Sequence, residues 1–126
     1  MMQLVEVTNS EDPDPMWATL KGVADKSIMK FKIGAAIVKR GRLLSIGHNS
    51  TKTHPKFGSK KNFMTLHAEG AAIYNANKLG IDVKGATIII YRRNWLNSKP
   101  CESCQRLIEK AGIAKIIYTN NESRIN

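Results

Sequence analysis

The segment ATIIIY, residues 86–91, restricts the possible folds more than any other part of this 126-residue chain. Its side chains are apolar on both faces of a strand, which is typical of a strand in the middle of a sheet, buried on both sides. Helices have to cover both faces of such a sheet. The segment therefore predicts an α/β fold with helices above and below the sheet.

The remaining apolar patterns supply helices and strands for this fold. Helical spacing, together with an early proline in one segment and a late glycine in another, predicts three helices, over 16–28, 63–80 and 100–110. Short apolar runs predict further strands over 33–38, 42–47 and 114–119, the first two joined by a turn at residues 39–41. The predicted order is α-β-β-α-β-α-β.

No repeat, low-complexity tract or Gly/Ser linker divides the sequence, so we expect a single domain over 1–126, with 1–15 and 120–126 at its periphery. In open α/β sheets, ligands collect at the carboxyl ends of strands, where helices begin. The second and third helices should both begin there, which would bring His67 close to Cys101.

The chain carries 20 Lys and Arg residues against 10 Asp and Glu residues, a net charge of +10. This excess predicts attraction to phosphate on a nucleotide, a polynucleotide or a membrane surface, without choosing among them. No apolar run approaches the ~18 residues of a membrane span, and the first 15 residues lack the layout of a secretory signal. The two cysteines would close too short a loop for a stabilising disulfide, so we expect a reducing cytoplasm.

Both cysteines lie in PCESC, residues 100–104, at the predicted start of the third helix. Residues three apart lie on one side of a helix, so the sulfur atoms of Cys101 and Cys104 can point at one place. A helix N-terminus favours the thiolate form, which binds metals. Two thiolates and the imidazole of His67 would neutralise Zn²⁺ and fill three of its four positions, leaving one open, as in a catalytic site.

Glu69 follows His67 by two residues, in HAE, and so lies at a different angle of the helix, where it need not bind the metal. It can instead reach a water molecule in the open position, whose pKa zinc lowers to about 7. A carboxylate there can take up a proton and later deliver it to the group under attack. This arrangement suits hydrolysis at an electron-poor sp² carbon that carries an amine.

Two other interpretations of the cysteine pair remain open. A thioredoxin-like redox pair has the same Cys-x-x-Cys spacing, although such a pair usually follows the first strand of a βαβ unit. A structural Cys₂His₂ zinc site, closed by His48 or His54, is the second, and it would leave Glu69 without a role.

HAE (67–69) and PCESC (100–104) resemble the His-x-Glu and Pro-Cys-x-x-Cys signature of the zinc-dependent cytidine/deoxycytidylate deaminase superfamily. The likeness extends over roughly residues 30–119, where LSIGHNSTKTHP, LHAEGAAIYNA and CQRLIEKAGIAKIIYT are similar to small phage- and bacterial-type nucleotide deaminases. The resemblance implies a three-layer α/β/α cytidine deaminase-like fold with a mixed four- to five-stranded sheet.

The resemblance also implies roles for individual residues. The zinc ligands would be His67, Cys101 and Cys104, with one zinc ion per chain, and Glu69 would move protons. The implied substrate contacts are the Asn49 side chain to a sugar hydroxyl, the Ala68 backbone to the pyrimidine edge, and the Ser98 and Lys99 carbonyls to the exocyclic amine. Asn49 has an alternative role, since asparagine commonly stabilises a turn.

The segment TKTHPKFGSKKN, residues 51–62, is polar, basic and interrupted by Pro55 and Gly58, which predicts a loop. Because it joins the two halves of the predicted site, we hypothesise that Lys52 and Lys56 form a phosphate-binding lid; the alternative is a solvated loop. Trp95, in the segment before Pro100, either stacks on a base or packs inside the protein.

The function implied by the resemblance is zinc-dependent hydrolytic deamination of a cytosine nucleotide, dCMP to dUMP in the first place, or of a related nucleotide or nucleoside, with release of ammonia. A homo-oligomer is also implied. A competing hypothesis is deamination of a base in RNA or single-stranded DNA, favoured by the net charge and by Arg92, Arg93 and Trp95. A third is a zinc-dependent binding module without turnover, which the presence of Glu69 disfavours.

Overall fold

The computed structural model describes residues 2–7, 15–50 and 67–121. In these ranges the chain forms strands β1 Gln3–Val7, β2 Ile33–Lys39, β3 Arg42–His48, β4 Thr87–Arg92 and β5 Lys115–Thr119. It also forms helices α1 Met16–Asp25, α2 Ala68–Lys78 and α3 Glu102–Lys110, and a short 3₁₀ turn, Arg93–Trp95. None of the helices in this part of the chain has the length and apolar character that crossing a bilayer requires.

The five strands form one mixed sheet in the order β1-β5-β4-β2-β3. Strand β5 runs parallel to both β1 and β4, whereas β2 runs antiparallel to β4 and β3. The central position predicted for the apolar segment 86–91 is confirmed, because β4 lies in the middle of the sheet. Strands β3, β4 and β5 therefore all end at the same edge of the sheet.

Helices cover the sheet on both faces, which confirms the three-layer α/β/α fold. Consecutive isoleucines of β4 point to opposite sides: Ile88 packs with Ile116 in the core beneath α2 and α3, and Ile89 packs with Trp17 and Leu20 of α1. Neither Ile88 nor Ile116 has any solvent-accessible surface. The apolar character of both faces of β4 thus follows directly from its two helical layers.

The strand β1 was absent from the sequence-based order. Residues 3–7 pair in parallel with β5, from Gln3 opposite Lys115 to Val7 opposite Thr119. Three of the five side chains are exposed, as expected at a sheet edge, and such a short, half-polar segment carries little of the apolar signal that identifies a buried strand.

The helix boundaries also differ from the predictions. Helix α2 was predicted from residue 63, but His67 has an extended backbone (φ −72°, ψ 151°) and the helix begins at Ala68. Similarly, Cys101 has an extended backbone (φ −66°, ψ 168°), and α3 begins at Glu102 rather than at Pro100. Both predicted ligands at these helix starts therefore occupy the N-cap position. The predicted loop at 51–62 lies outside the described residues.

Gly47 allows α2 to lie directly on β3. A Cβ atom built at Gly47 would come within 2.4 Å of the Ala72 nitrogen and 2.8 Å of the Ala68 carbonyl oxygen. Ser45, two residues earlier on the same strand, donates a 2.7 Å hydrogen bond to the Ala72 carbonyl. This close backbone packing fixes the N-terminal half of α2, and with it His67, against the sheet.

The first prediction concerns this contact. We expect Gly47→Ala to lower the free energy of unfolding by about 1–3 kcal/mol, because α2 must move away from β3 to admit the methyl group. Urea denaturation followed by circular dichroism measures the change.

The matched control is Gly22→Ala, in the interior of α1, where an added Cβ meets nothing within 4 Å. Alanine should stabilise the helix there by about 0.5–1 kcal/mol. Equal stability of the two variants would contradict the close approach at Gly47.

Candidate metal centre and active site

The three predicted metal ligands come from two helix starts at one edge of the sheet. His67 precedes α2, which follows β3, and its carbonyl accepts the first helical hydrogen bond from Ala71 at 2.9 Å. Cys101 precedes α3, which follows β4, and its carbonyl accepts from Gln105 at 2.9 Å. Cys104 lies in the first turn of α3. The prediction that both helices begin at the same sheet edge is confirmed.

The side chains of His67, Cys101 and Cys104 converge, with their ligand atoms all within 4.8 Å of one another. The Nδ1 atom of His67 lies 2.9 Å from Sγ of Cys104, so Nδ1 is the imidazole nitrogen that faces the cysteines. His67 and Cys101 are exposed, whereas Cys104 is buried. Among the described residues, the cluster is therefore buried on the side of Cys104 and exposed at His67 and Cys101.

This donor set fits zinc. Two cysteine sulfurs and one imidazole nitrogen are ligands that Zn²⁺ prefers, and three protein ligands leave a fourth tetrahedral position for a water molecule or substrate. Cys101 and Cys104 are both free thiols rather than a disulfide, so both sulfurs are available. The partial positive charge at the two helix N-termini further favours their deprotonation when a metal binds.

The two thiols have different surroundings. Burial alone would raise the pKa of Cys101, but hydrogen bonds from the Ser103 hydroxyl and from the backbone and thiol of Cys104 lower it below its ordinary value. The Sγ–Oγ distance to Ser103 is 3.2 Å. Burial, reinforced by the charge of Glu69, raises the pKa of Cys104 far above its ordinary value. A metal ion that binds here must therefore displace a proton from Cys104.

Glu69 lies on the inner side of this cluster. Only 5% of its surface is exposed, and its side chain forms a hydrogen bond with Cys104. Burial raises the pKa of its carboxyl group, against the opposing effects of its own backbone N–H, His67 and Cys104. A buried carboxyl group with a raised pKa beside three metal ligands is suited to proton transfer.

Two of the residues predicted to contact substrate are buried next to the ends of elements that lead to this edge of the sheet. Ala68 is the first residue of α2 and is buried. Asn49 directly follows β3 and is also buried; its Oδ1 accepts from the Ile33 backbone N–H at 3.0 Å, and its Nδ2 donates to the Phe31 carbonyl at 2.6 Å. The Asn49 amide therefore joins the end of β3 to the chain that enters β2.

Of the other four residues predicted to contact substrate, two are described by the structure and two are not. Ser98 is buried, and its hydroxyl and N–H groups form hydrogen bonds with β4 and β5. Lys99 is exposed, and its N–H donates to Oδ1 of Asn97 at 3.0 Å. Lys52 and Lys56 lie outside the described residues, as does His54.

Trp95 packs inside the protein. Its side chain is 9% exposed, with ring centroids 4.9 Å from Trp17 and 5.5 Å from Tyr91. Of the two alternatives for Trp95, stacking on a base is thereby disfavoured. Arg92 is also engaged, since its guanidinium lies over the Phe31 ring and donates to the Asn97 carbonyl at 3.3 Å.

Sequence reasoning did not identify Thr119, which ends β5 beside the cysteine segment. The residue is fully buried, and its hydroxyl lies 2.7 Å from the Leu96 carbonyl. The available signal was its position, as a polar residue at the end of an apolar strand, where helices and ligands meet.

Residues 13–120 match the family described as the cytidine and deoxycytidylate deaminase zinc-binding region. A deoxycytidylate deaminase of Saccharomyces cerevisiae is 29% identical to this chain, over 74% of the chain and 32% of the yeast protein. A deoxycytidylate deaminase of enterobacteria phage T4 is 25% identical, over 70% of the chain and 66% of the phage protein. The chain thus corresponds to about a third of the yeast protein and just under two thirds of the phage protein.

Solved structures give the same picture of the fold. The apo crystal structure of dCMP deaminase from cyanophage S-TIM5 superimposes with a TM-score of 0.65 at 29% identity, covering 82% of this chain and 78% of that one. The complex of that enzyme with dCMP and dUMP superimposes with a TM-score of 0.61 at 24% identity, covering 84% of each chain. The three-layer fold is therefore shared with these structures.

The second prediction concerns metal content. We expect one zinc ion per chain by mass spectrometry of the metal in purified protein. Loss of a group outside the ligand shell typically weakens metal binding by about 10–100-fold. Cys104→Ala should weaken zinc binding by more than this, because it removes a ligand.

His48→Ala is the matched control, because the His48 Nδ1 atom contacts the Asn49 carbonyl at 3.1 Å and lies outside the group of three ligands. We expect it to retain zinc. Loss of zinc from His48→Ala would instead support a closed structural site with four protein ligands.

Proposed function

The chain belongs to the cytidine and deoxycytidylate deaminase zinc-binding family, and on this basis we propose that it hydrolyses the 4-amino group of a cytosine nucleotide. The proposed reaction converts dCMP and water to dUMP and ammonia. Cytosine nucleosides and other cytosine nucleotides are the closest alternative substrates.

The observation that carries this proposal is the position of Glu69. Its buried carboxyl group forms a hydrogen bond with Cys104 and has a raised pKa, and Cys104 is one of the three converging ligands. A purely structural zinc site has no use for a buried acid beside its ligands, since burying a carboxyl group costs free energy. Hydrolysis does use one, to carry protons between water and the departing amine.

In the proposed mechanism, His67, Cys101 and Cys104 would hold a zinc ion, which when bound would lower the pKa of a water molecule to about 7 and make it a nucleophile at neutral pH. Glu69 accepts a proton from the attacking water and passes it to N3 of the pyrimidine as oxygen bonds to C4. It then transfers the second proton of that water to the exocyclic amine, and ammonia leaves as the C4–N bond breaks. The raised pKa of Glu69 suits a group that must both accept and donate protons.

A nucleotide substrate is supported by charge and by the relatives. The net charge of +10 favours an anionic ligand, and the matched yeast and phage proteins are deoxycytidylate deaminases.

We further propose that the protein forms a homo-oligomer and works in a reducing cytoplasm, where its thiols remain available to the metal. Light scattering after size-exclusion chromatography measures the first of these.

Deamination within RNA or single-stranded DNA has less support. Of the three residues that favoured it, Trp95 packs among Trp17 and Tyr91, and Arg92 contacts the Phe31 ring and the Asn97 carbonyl. Stacking of bases on exposed aromatic side chains is a main contribution to single-strand binding, and Trp95 has too little exposed surface to provide it.

The third prediction tests the mechanism. We expect Glu69→Gln to lower kcat for dCMP by about 10²–10⁴-fold, the usual contribution of a general acid–base group, because glutamine preserves the shape but carries no proton between sites. Ammonia release, coupled to a dehydrogenase assay, measures the rate.

Zinc content is measured on the same samples. Retention of zinc in Glu69→Gln separates a proton-transfer role from a ligand role. An active Glu69→Gln enzyme with full zinc would overturn the mechanism.

The fourth prediction tests the phosphate-binding lid. We expect Lys52→Ala and Lys56→Ala each to raise KM for dCMP by about tenfold or more and to leave KM for deoxycytidine nearly unchanged, because each variant would lose a charge-assisted hydrogen bond of about 1.5–3 kcal/mol to phosphate. Lys78→Ala, at the opposite end of α2 from His67, is the matched control for loss of one positive charge. Equal effects on nucleotide and nucleoside would exclude the lid.

A further inference from the structure

We propose that Thr119 and Ser98 are positioning residues that tie the cysteine-bearing segment to the sheet and so set the geometry of the metal centre. The proposal rests on the proposed zinc site. It assigns a function to two buried hydroxyl groups, neither of which is a metal ligand or takes part in the reaction.

The two hydroxyl groups lie where β4 and β5 separate. The last residues paired between these strands are Ile90 and Tyr118. One step beyond, the Ser98 hydroxyl enters between the strands, donates to the Ile90 carbonyl at 2.9 Å and accepts from the Thr119 N–H at 2.8 Å. The hydroxyl of Ser98 thus joins the ends of both strands at the edge where α3 begins.

Thr119 binds the same segment at two further points. Its carbonyl accepts from the Ser98 N–H at 2.8 Å, and its hydroxyl donates to the Leu96 carbonyl at 2.7 Å. The Thr119 hydroxyl also accepts from the Arg92 N–H at 3.2 Å. Each hydroxyl has one proton. Ser98 donates its proton to Ile90, and the Thr119 proton is shared between the Leu96 carbonyl at 2.7 Å and the Ser98 oxygen at 2.9 Å.

These bonds lie directly before the ligands. From Ser98, two residues lead to Cys101, and Pro100 limits the backbone freedom of that short path. The Pro100 carbonyl is itself held by the Gln105 side chain at 2.9 Å. A shift of Ser98 would therefore be transmitted to the Cys101 sulfur with little loss. Metal affinity depends on ligand placement within fractions of an ångström.

Burial makes the network stiff. Thr119 is fully buried and Ser98 is 6% exposed, so water has little access to replace a lost hydroxyl partner. Replacing Thr119 by valine keeps the volume but removes the hydroxyl that bonds both the Leu96 carbonyl and the Arg92 N–H. The loss of both hydrogen bonds at a place with little access for water costs enough to move the segment.

The experiment measures cobalt binding to the metal-free 126-residue protein, because Co²⁺ bound to thiolates has an absorption spectrum that reports ligand geometry. Competition with a chromophoric chelator gives the dissociation constant. We expect Thr119→Val to weaken Co²⁺ binding about tenfold, the lower end of the range for groups outside the ligand shell, and to shift the absorption bands. Ser98→Ala should have the same two effects.

Two variants serve as controls. Thr119→Ser keeps the hydroxyl group. We expect its affinity for Co²⁺ to be within about twofold of wild type and its absorption spectrum to be that of wild type. Ser27→Ala removes another fully buried hydroxyl, which accepts from the Met29 N–H at 3.1 Å beyond the end of α1. It should lower the melting temperature and leave the cobalt spectrum unchanged.

Thr119→Val and Ser98→Ala proteins that bind cobalt with wild-type affinity and spectrum would overturn the positioning role. A loss of affinity that follows only the melting temperature, and appears equally in Ser27→Ala, would also overturn it. If wild-type protein gave no thiolate–cobalt absorption, the proposed zinc site, and with it the proposed function, would be contradicted. That result differs from a selective effect of the Thr119 variants.

Discussion

The functional geometry depends on two helix N-termini that meet at one edge of the sheet. His67 and Cys101 are both N-cap residues with extended backbones, and the strands before them, β3 and β4, lie on either side of β2 and end at the same edge. Each helix start has a separate contact: α2 packs on Gly47, and the segment before α3 is joined to β4 and β5 by the hydrogen bonds of Ser98 to Ile90 and Thr119. The ligand cluster therefore depends on the backbone more than on flexible side chains.

The sequence was sufficient to predict the central strand, the helical layers and the ligand group. The apolar character of both faces of β4 has one simple structural solution, a strand between two helical layers. Likewise, His67, Cys101 and Cys104 are residue types whose chemistry limits what they can do together. The structure then brought these three side chains within 4.8 Å, as their positions at two predicted helix starts had indicated.

Other features could not be predicted because they arise from tertiary contacts. The strand β1 is stabilised by pairing with β5, and nothing in its own five residues requires that partner. Trp95 could have faced solvent or the interior, and its burial depends on the rings of Trp17 and Tyr91. Thr119 is an ordinary strand-end residue in the sequence, and its role emerges only from the separation of β4 and β5 around the Ser98 hydroxyl.

The division of the ligands between two distant segments couples metal occupancy to completion of folding. Cys101 and Cys104 are close in sequence and can bind an ion together even in an unfolded chain. His67 is separated from Cys101 by 33 residues, so bringing it to the same ion costs loop-closure entropy until the sheet has formed. A full set of ligands thus exists only once β3, β4 and their helices are joined. An ion that binds only the native form shifts the folding equilibrium toward that form. Metal binding therefore stabilises the fully folded protein relative to partly folded intermediates.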